Sequence, residues 1–358
     1  MTLRDTHLAL GASLAPDDIP LHYGDLAGEY RAALEHAVVM DRSHEARLRL
    51  NGQQRLDLLH RISTNDINSL SPGAGTPTVF TDAAARILDR VTVYHLGEHA
   101  LMLGEPGRGA PLMAFLGRSI FYGDDVRPLD LSQSHCLLDI HGPQASALLP
   151  GLWPDTAPTP DQVRAASTTV AGVRVTVASR KPASGSRWSL LVPQDSAPTV
   201  WDALLAAGLT PAGSLTYNTL RIRAGLPGTG RELSASYLPL EVGLWDEVSF
   251  AKGCYTGQEV IARMESRGRL AKTLVQLDLP HMVEAPAPLF YEGRQAGEIT
   301  SSVQSPLGEV FTIGVVRLAL ARPGQALTAG AGDVPVSVAA LIGAQPPYLP
   351  GTDDNPAT

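Results

Sequence analysis

The sequence predicts an α+β chain of more than one domain, ending in a small all-β barrel. Three observations carry this. The chain has 358 residues, which is long for a single hydrophobic core and favours two or three domains. Up to about residue 268, segments with helical spacing alternate with segments of strand formers. After Arg269 the texture changes to short strands split by Gly and Pro, the pattern of a barrel or sandwich.

The elements follow in order. Residues 1–20 show no sustained periodicity, contain Pro16 and Pro20, and are expected to be loosely held. Gly28 to Ala37 places Tyr30, Ala33, Leu34 and Ala37 on one helical side. Arg47-Leu48-Arg49-Leu50 alternates as a strand before the Asn51-Gly52 turn, and Arg55 to Ile62 reads as a helix. Pro77 to Leu103 reads as a β-meander, and Pro111 to Phe121 as a helix. His135 to Ile140 is a strand stopped by His141-Gly142-Pro143, followed by a short helix from Ala145. Gly172 to Ala178 and Trp188 to Val192 are strands around a turn. Thr199 to Ala207 and Leu215 to Ala224 are helices, the first closed by Gly208. Leu274 to Leu279, Gln295 to Val303, Phe311 to Arg317 and Val334 to Leu341 are the strands of the last domain. The expected organisation is therefore a flexible 1–20, a larger region 21–268 of two interleaved α+β domains, a barrel at 269–345, and a disordered tail at 346–358 rich in Pro, Asp and Asn.

Composition narrows the partners. A net charge of −8 argues against a broad nucleic-acid footprint, which needs a basic face. Two cysteines, Cys136 and Cys254, make no disulfide framework and fit a reducing, cytoplasmic setting. No clustered Cys/His spacing signals zinc, so no metal site is expected. The N-terminus lacks a basic region followed by an apolar run, and no stretch approaches membrane-span length.

The chemistry concentrates in Val248 to Arg263. A short strand is expected to enter a Gly-punctuated turn, with a helix starting near Gly257. Thr256 and Glu259 have capping-box spacing. Cys254 then sits just before a helix N-terminus and two residues from Lys252, and both would favour a thiolate. A lone cysteine is more often a small residue filling a tight turn. The flanking glycines and lysine favour a functional role here, whereas Cys136, in an apolar strand, reads as core. Arg263, Arg267, Arg269 and Lys272 form a basic cluster, read either as a solvated surface or as an anion site for carboxylates.

Lys252-Gly253-Cys254-Tyr255-Thr256-Gly257-Gln258-Glu259 resembles the KGC[FY]xGQE signature of the YgfZ family. From Tyr23 to Ala340 the chain resembles the wider aminomethyltransferase (T-protein) superfamily. Thr64-Asn65-Asp66, Leu220-Arg221-Ile222-Arg223-Ala224-Gly225-Leu226-Pro227 and Leu238-Pro239-Leu240-Glu241-Val242-Gly243-Leu244 are similar to its TND, RLEAGxP and PLEAGL elements. The resemblance implies a three-domain cloverleaf around a central folate channel, with tetrahydrofolate or a one-carbon derivative as cofactor. It implies Arg221 and Glu241 as folate-binding candidates, with Tyr255, Gln258, Glu259 and Arg263 from the signature segment.

Two departures stand out. Where T-proteins carry paired aspartates, this chain has Asp89 followed by Arg90, which reverses the local charge. The TGYTGE element, whose Glu reads the pterin, is replaced around Ser179 to Ser186, with no acidic counterpart. Three readings follow. The first is a tetrahydrofolate-binding protein that supports iron–sulfur assembly or repair, including enzymes that modify tRNA, with Cys254 as nucleophile or ligand, Lys252 keeping it ionised, and transient iron–sulfur protein partners. The second is a folate-dependent one-carbon transferase using Asp89. The third is a scaffold that binds folate as a ligand only.

Overall fold

The computed structural model describes residues 2–153, 158–159, 161–266, 268, 270–330 and 334–344. Arg267, Arg269 and the tail from residue 346 lie outside the described residues. The fold is mixed α+β, and the chain divides into two compact units. The first comprises Met1–His60, Asp66–Pro77 and Val91–Leu220, and the second Arg61–Asn65, Thr78–Arg90 and Arg221–Thr358.

The first unit is built on a six-stranded sheet. Its order is Ala165–Val170, Val173–Ser179, Ser186–Pro193, His135–Gly142, Val38–Asp41 and Thr210–Pro211. His135–Gly142 is buried along almost its whole length, with Leu137, Leu138 and Ile140 at 0% exposure. Helix Ala197–Ala206 lays Val200, Trp201 and Leu204, spaced as one helical face, onto the same core. A five-stranded sheet runs in the order Gly75–Thr81, Ile87–His95, Ala100–Pro106, Glu45–Asn51 and Arg127–Asp130. The chain passes from one unit to the other within the first two of these strands.

The N-terminal segment differs from expectation. Leu3–Ala9 is a helix with a Thr2–Asp5 capping box. His7 is fully buried, with Nε2 3.1 Å from Asp41 and Nδ1 2.8 Å from the Tyr23 hydroxyl. Its ring packs edge-on against Trp201 at 4.7 Å. Seven residues give too short a window for periodicity to reveal a helix held by one polar anchor.

The second unit contains a closed six-stranded barrel: Lys272–Asp278, Val310–Arg317, Arg294–Gln304, Ala287–Tyr291, Ala326–Ala329 and Val334–Leu341. Four of these strands are legible in the sequence. Ala287–Tyr291 and Ala326–Ala329, of five and four residues, are too short to show alternation, yet they supply the pairings that close the barrel. Closure removes free sheet edges. The barrel interior is apolar, with Val275, Leu289, Ile299, Val316 and Ala329 each at 0% exposure.

Candidate functional site

The Lys252–Glu259 segment folds as a turn pinned to a second loop of the same unit. No strand forms at Val248–Phe250; a short 3₁₀ turn at Trp245–Glu247 leads into irregular chain. The backbone groups that a strand would satisfy go to Thr64 instead. Ser249 N–H donates to Thr64 O at 2.9 Å, and the Thr64 hydroxyl donates to Glu247 O at 2.8 Å. Lys252 is buried, and its ammonium donates to Ser63 O at 2.6 Å and Asn65 O at 3.0 Å. It also lies 5.1 Å from the Tyr255 ring centroid. A buried ammonium needs such acceptors. The role of Lys252 seen here is to fasten the two loops.

Beyond Lys252 the turn closes on itself. The Gln258 side chain donates to Lys252 O at 3.4 Å, and the Thr81 hydroxyl donates to Thr256 O at 2.6 Å. Gly257 adopts φ +86°, and a Cβ there would stand 2.7 Å from Asp82 O, so only glycine fits. The helix begins at Gln258. The expected capping box does not form, because this left-handed glycine sets Thr256 outside the helix. Glu259 pairs with Arg263 one turn along, on a solvent-exposed face. Tyr255 is buried beside Ala85, Leu240, Trp245 and Ile261, and burial pushes its hydroxyl up to about 12. Cys254 remains exposed at this turn, whereas Cys136 is buried and its thiol is pushed up to about 11 by burial.

Arg90 and Glu247 form an ion pair with three close contacts. Arg90 Nε lies 2.9 and 2.8 Å from the two Glu247 oxygens, and Nη2 lies 2.6 Å from Oε1. Glu247 is 1% exposed, and Arg90 is the cation it pairs with. Asp89, next along the strand Ile87–His95, is buried at 7% exposure. Glu247 was not legible as a site residue; the signal was an unexplained Arg90 that needed an acid.

The RLEAG-like and PLEAG-like elements are also in the second unit. Arg221 Nη1 lies 3.6 Å from buried Glu232, and Nη2 donates to Ser301 Oγ at 3.3 Å. Gly228 lies against this guanidinium, and a Cβ there would stand 2.8 Å from Cζ and Nη1. Glu241 accepts from Leu238 N–H at 3.0 Å, with Lys272 at 3.9 Å and Arg86 at 4.0 Å. Burial raises its carboxyl above the ordinary value, against the lowering effect of that hydrogen bond and those cations.

In the first unit, Ser179 to Ser186 and its surroundings contribute buried arginines. Arg180 lies 2.7 Å from Glu45, and Arg187 lies 2.5 Å from Asp139. Arg42 reaches Glu45 at 2.8 Å and stacks 3.8 Å from the Tyr217 ring centroid. Burial alone would raise Glu45, but Arg180, Arg42 and Arg187 hold it at about 2. Asp139 is likewise held well below the usual carboxylate range by Arg187 despite burial. The sequence shows the loss of an acid in this stretch but not the ion-pair network in its place.

Comparison with known proteins places these features in a family. Residues 4–252 match the model of the GCVT N-terminal domain. The chain is 31% identical over 294 residues to a putative chloroplastic transferase of Arabidopsis thaliana, covering 82% of this chain and 68% of that one. It is 30% identical to the aminomethyltransferase of Streptomyces coelicolor, over 89% of each chain. Its fold matches that of the glycine cleavage system aminomethyltransferase T from Bartonella henselae, with a TM-score of 0.81 at 21% identity, over 95% of this chain and 97% of that one.

Proposed function

The chain belongs to the family of the GCVT N-terminal domain, and from that premise we propose that it is a tetrahydrofolate-binding protein of the YgfZ type. In this reading it supports assembly or repair of iron–sulfur clusters in a reducing, cytoplasmic setting, with Cys254 as its reactive group. The observation that carries the reading is the exposed Cys254 on a turn fastened by Lys252 and Gln258. A positioned, accessible thiol can act as a nucleophile or as a soft ligand to iron. One cysteine does not hold a cluster, so iron contact would be shared with a client protein.

In this reading Arg221, with the Gly228 backbone packed against its guanidinium, is the residue that meets the coenzyme. A flat cation of this kind holds carboxylates and stacks on aromatic rings, and tetrahydrofolate carries both. Glu241, Tyr255, Gln258, Glu259 and Arg263 are proposed contributors through the segments they hold in place. When bound, tetrahydrofolate would supply a carrier for one-carbon units.

A second reading, a folate-dependent aminomethyltransferase, is favoured by the names of the relatives and by the acid at Asp89. Arg90 works against it, because a cation engaged with Glu247 stands where transfer chemistry wants a second carboxylate. The two readings separate in one experiment. The gene is deleted in its host, and a cluster-dependent tRNA-thiolating enzyme is assayed with wild type or Cys254→Ala returned. Rescue by wild type alone supports the cluster reading. Normal cluster enzymes in the deletion strain would sink it. Formation of methylene-tetrahydrofolate from an aminomethyl donor by the purified protein would establish the transferase.

A further inference from the structure

The wall of the C-terminal barrel carries a small pocket lined by both signs of charge. Its volume is about 270 Å³, and it lies along Lys272–Asp278, Arg294–Gln304 and Val310–Arg317, with Tyr237 at one side. Gly297 lines it because the neighbouring strand leaves no room for a side chain: a Cβ would stand 2.2 Å from Val315 O.

The charges are arranged by strand register and by one aromatic ring. Lys272 and Arg317 are cross-strand partners in an antiparallel pair, so their side chains share a face. Like charges placed opposite each other repel. Arg317 donates to the Gln295 carbonyl, which carries no charge to offset it. The Lys272 ammonium stands 4.4 Å from the Tyr237 ring centroid, with Glu241 behind it at 3.9 Å. At the other end of the same ring, the Tyr237 hydroxyl donates to Glu298, which also lines the pocket. Burial, reinforced by Glu298, raises the Tyr237 pKa, so the phenol stays a donor. Tyr237 thus holds an ammonium over its face and a carboxylate at its hydroxyl.

We propose that this pocket binds a small zwitterion of the amino-acid class, its carboxylate bridging Lys272 and Arg317 and its ammonium on Glu298. A simple anion would meet the Glu298 carboxylate, and a simple cation would meet Lys272 and Arg317. A ligand carrying both charges satisfies all three. Carboxylate Glu298 has lone pairs beyond the one that Tyr237 uses, and Arg317 has donors beyond the one given to Gln295. The size suits a small amino acid, being below the roughly 300–1,000 Å³ of coenzyme and drug sites. The inference is independent of the folate reading.

The test is calorimetric titration of the full-length protein with glycine and L-alanine, and with acetate and methylamine as half-ligands. Saturable binding is expected for at least one amino acid, with both half-ligands weaker by about tenfold or more, as loss of a charge-assisted contact implies. Glu298→Gln should weaken amino-acid binding about tenfold while sparing acetate, and Arg317→Ala should weaken both. Unchanged melting temperatures identify the variants as folded. The proposal is overturned if neither amino acid binds saturably in the millimolar range. It is equally overturned if acetate binds as tightly as glycine, or if both folded variants bind as wild type does.

Discussion

Arg90 grips both carboxylate oxygens of Glu247 across 157 residues of sequence, with Nε and Nη2 sharing the contact. The pair is held in register from both sides. Asp89 and Arg90 lie on one strand, while the Glu247 carbonyl accepts from Thr64. Because Glu247 is 1% exposed, breaking the pair leaves a buried charge without its partner. Arg90→Met should cost ~3–5 kcal/mol in urea unfolding. Replacing both residues with apolar ones should recover much of that loss. If Arg90→Met unfolds like wild type, the pair contributes nothing to the site's integrity.

Lys252 gives a second, local prediction. Its ammonium is the donor to Ser63 and Asn65, so Lys252→Met removes a charged partner from one buried and one part-buried carbonyl. A loss of about 2–3 kcal/mol is expected. Amide exchange should localise it. The Ser249 N–H, bonded to Thr64, should exchange faster in the variant, while the Val275 and Val316 amides in the barrel should not change. A uniform rise in exchange across the unit would contradict the clamp.

How much of this could be read beforehand depended on the range of the interactions. Elements with a long periodic face, such as Arg55–Ile62 and Val334–Leu341, were legible because burial selects residue types at fixed spacing. The signature segment was legible as a turn before a helix, because glycines mark backbone that side chains would block. What failed was long-range or depended on a single geometry. Local spacing gave Thr256 and Glu259 as a cap, but Gly257 packed against Asp82 moves the helix start to Gln258, past Thr256. Nothing local to Lys252 showed that its ammonium reaches a loop nearly 190 residues away. Ion pairs such as Arg180–Glu45 leave no periodic trace at all.

The two thiols should separate cleanly by reactivity. Cys254 is exposed, while Cys136 is 8% exposed with its thiol pushed up to about 11 by burial. A chromogenic disulfide reagent at neutral pH should titrate one thiol rapidly in the folded protein and the second only on unfolding. Cys254→Ala should abolish the fast phase and change stability by no more than about 0.5 kcal/mol, as for an exposed position. Two fast thiols, or none, would contradict the placement of these residues.

The last prediction concerns acid. His44 is partly buried, and its Nδ1 has no hydrogen-bond partner among the described residues. Burial, followed by the Arg42 charge, lowers its pKa to about 4, against the opposing pull of Glu45, Asp17 and Asp41. In the unfolded chain the same imidazole titrates near its ordinary value of about 6.5. Between those two values the unfolded state binds a proton that the folded state refuses, so stability falls as pH drops through this window. The loss attributable to His44 should reach about 2–3 kcal/mol by pH 4, after allowance for its partial exposure. His141, lowered by burial beside Arg187 and Arg42 despite the neighbouring Asp139, acts in the same direction. Glu45, lowered from 4.5 to about 2, adds its own loss from about pH 4.5 downward, as the unfolded carboxylate takes up a proton that the folded one refuses. Urea unfolding of wild type and His44→Gln at pH 7.5 and at pH 4.5 measures the difference. The variant should lose less stability than wild type over that interval, and equal losses would mean that His44 is protonated in the folded protein.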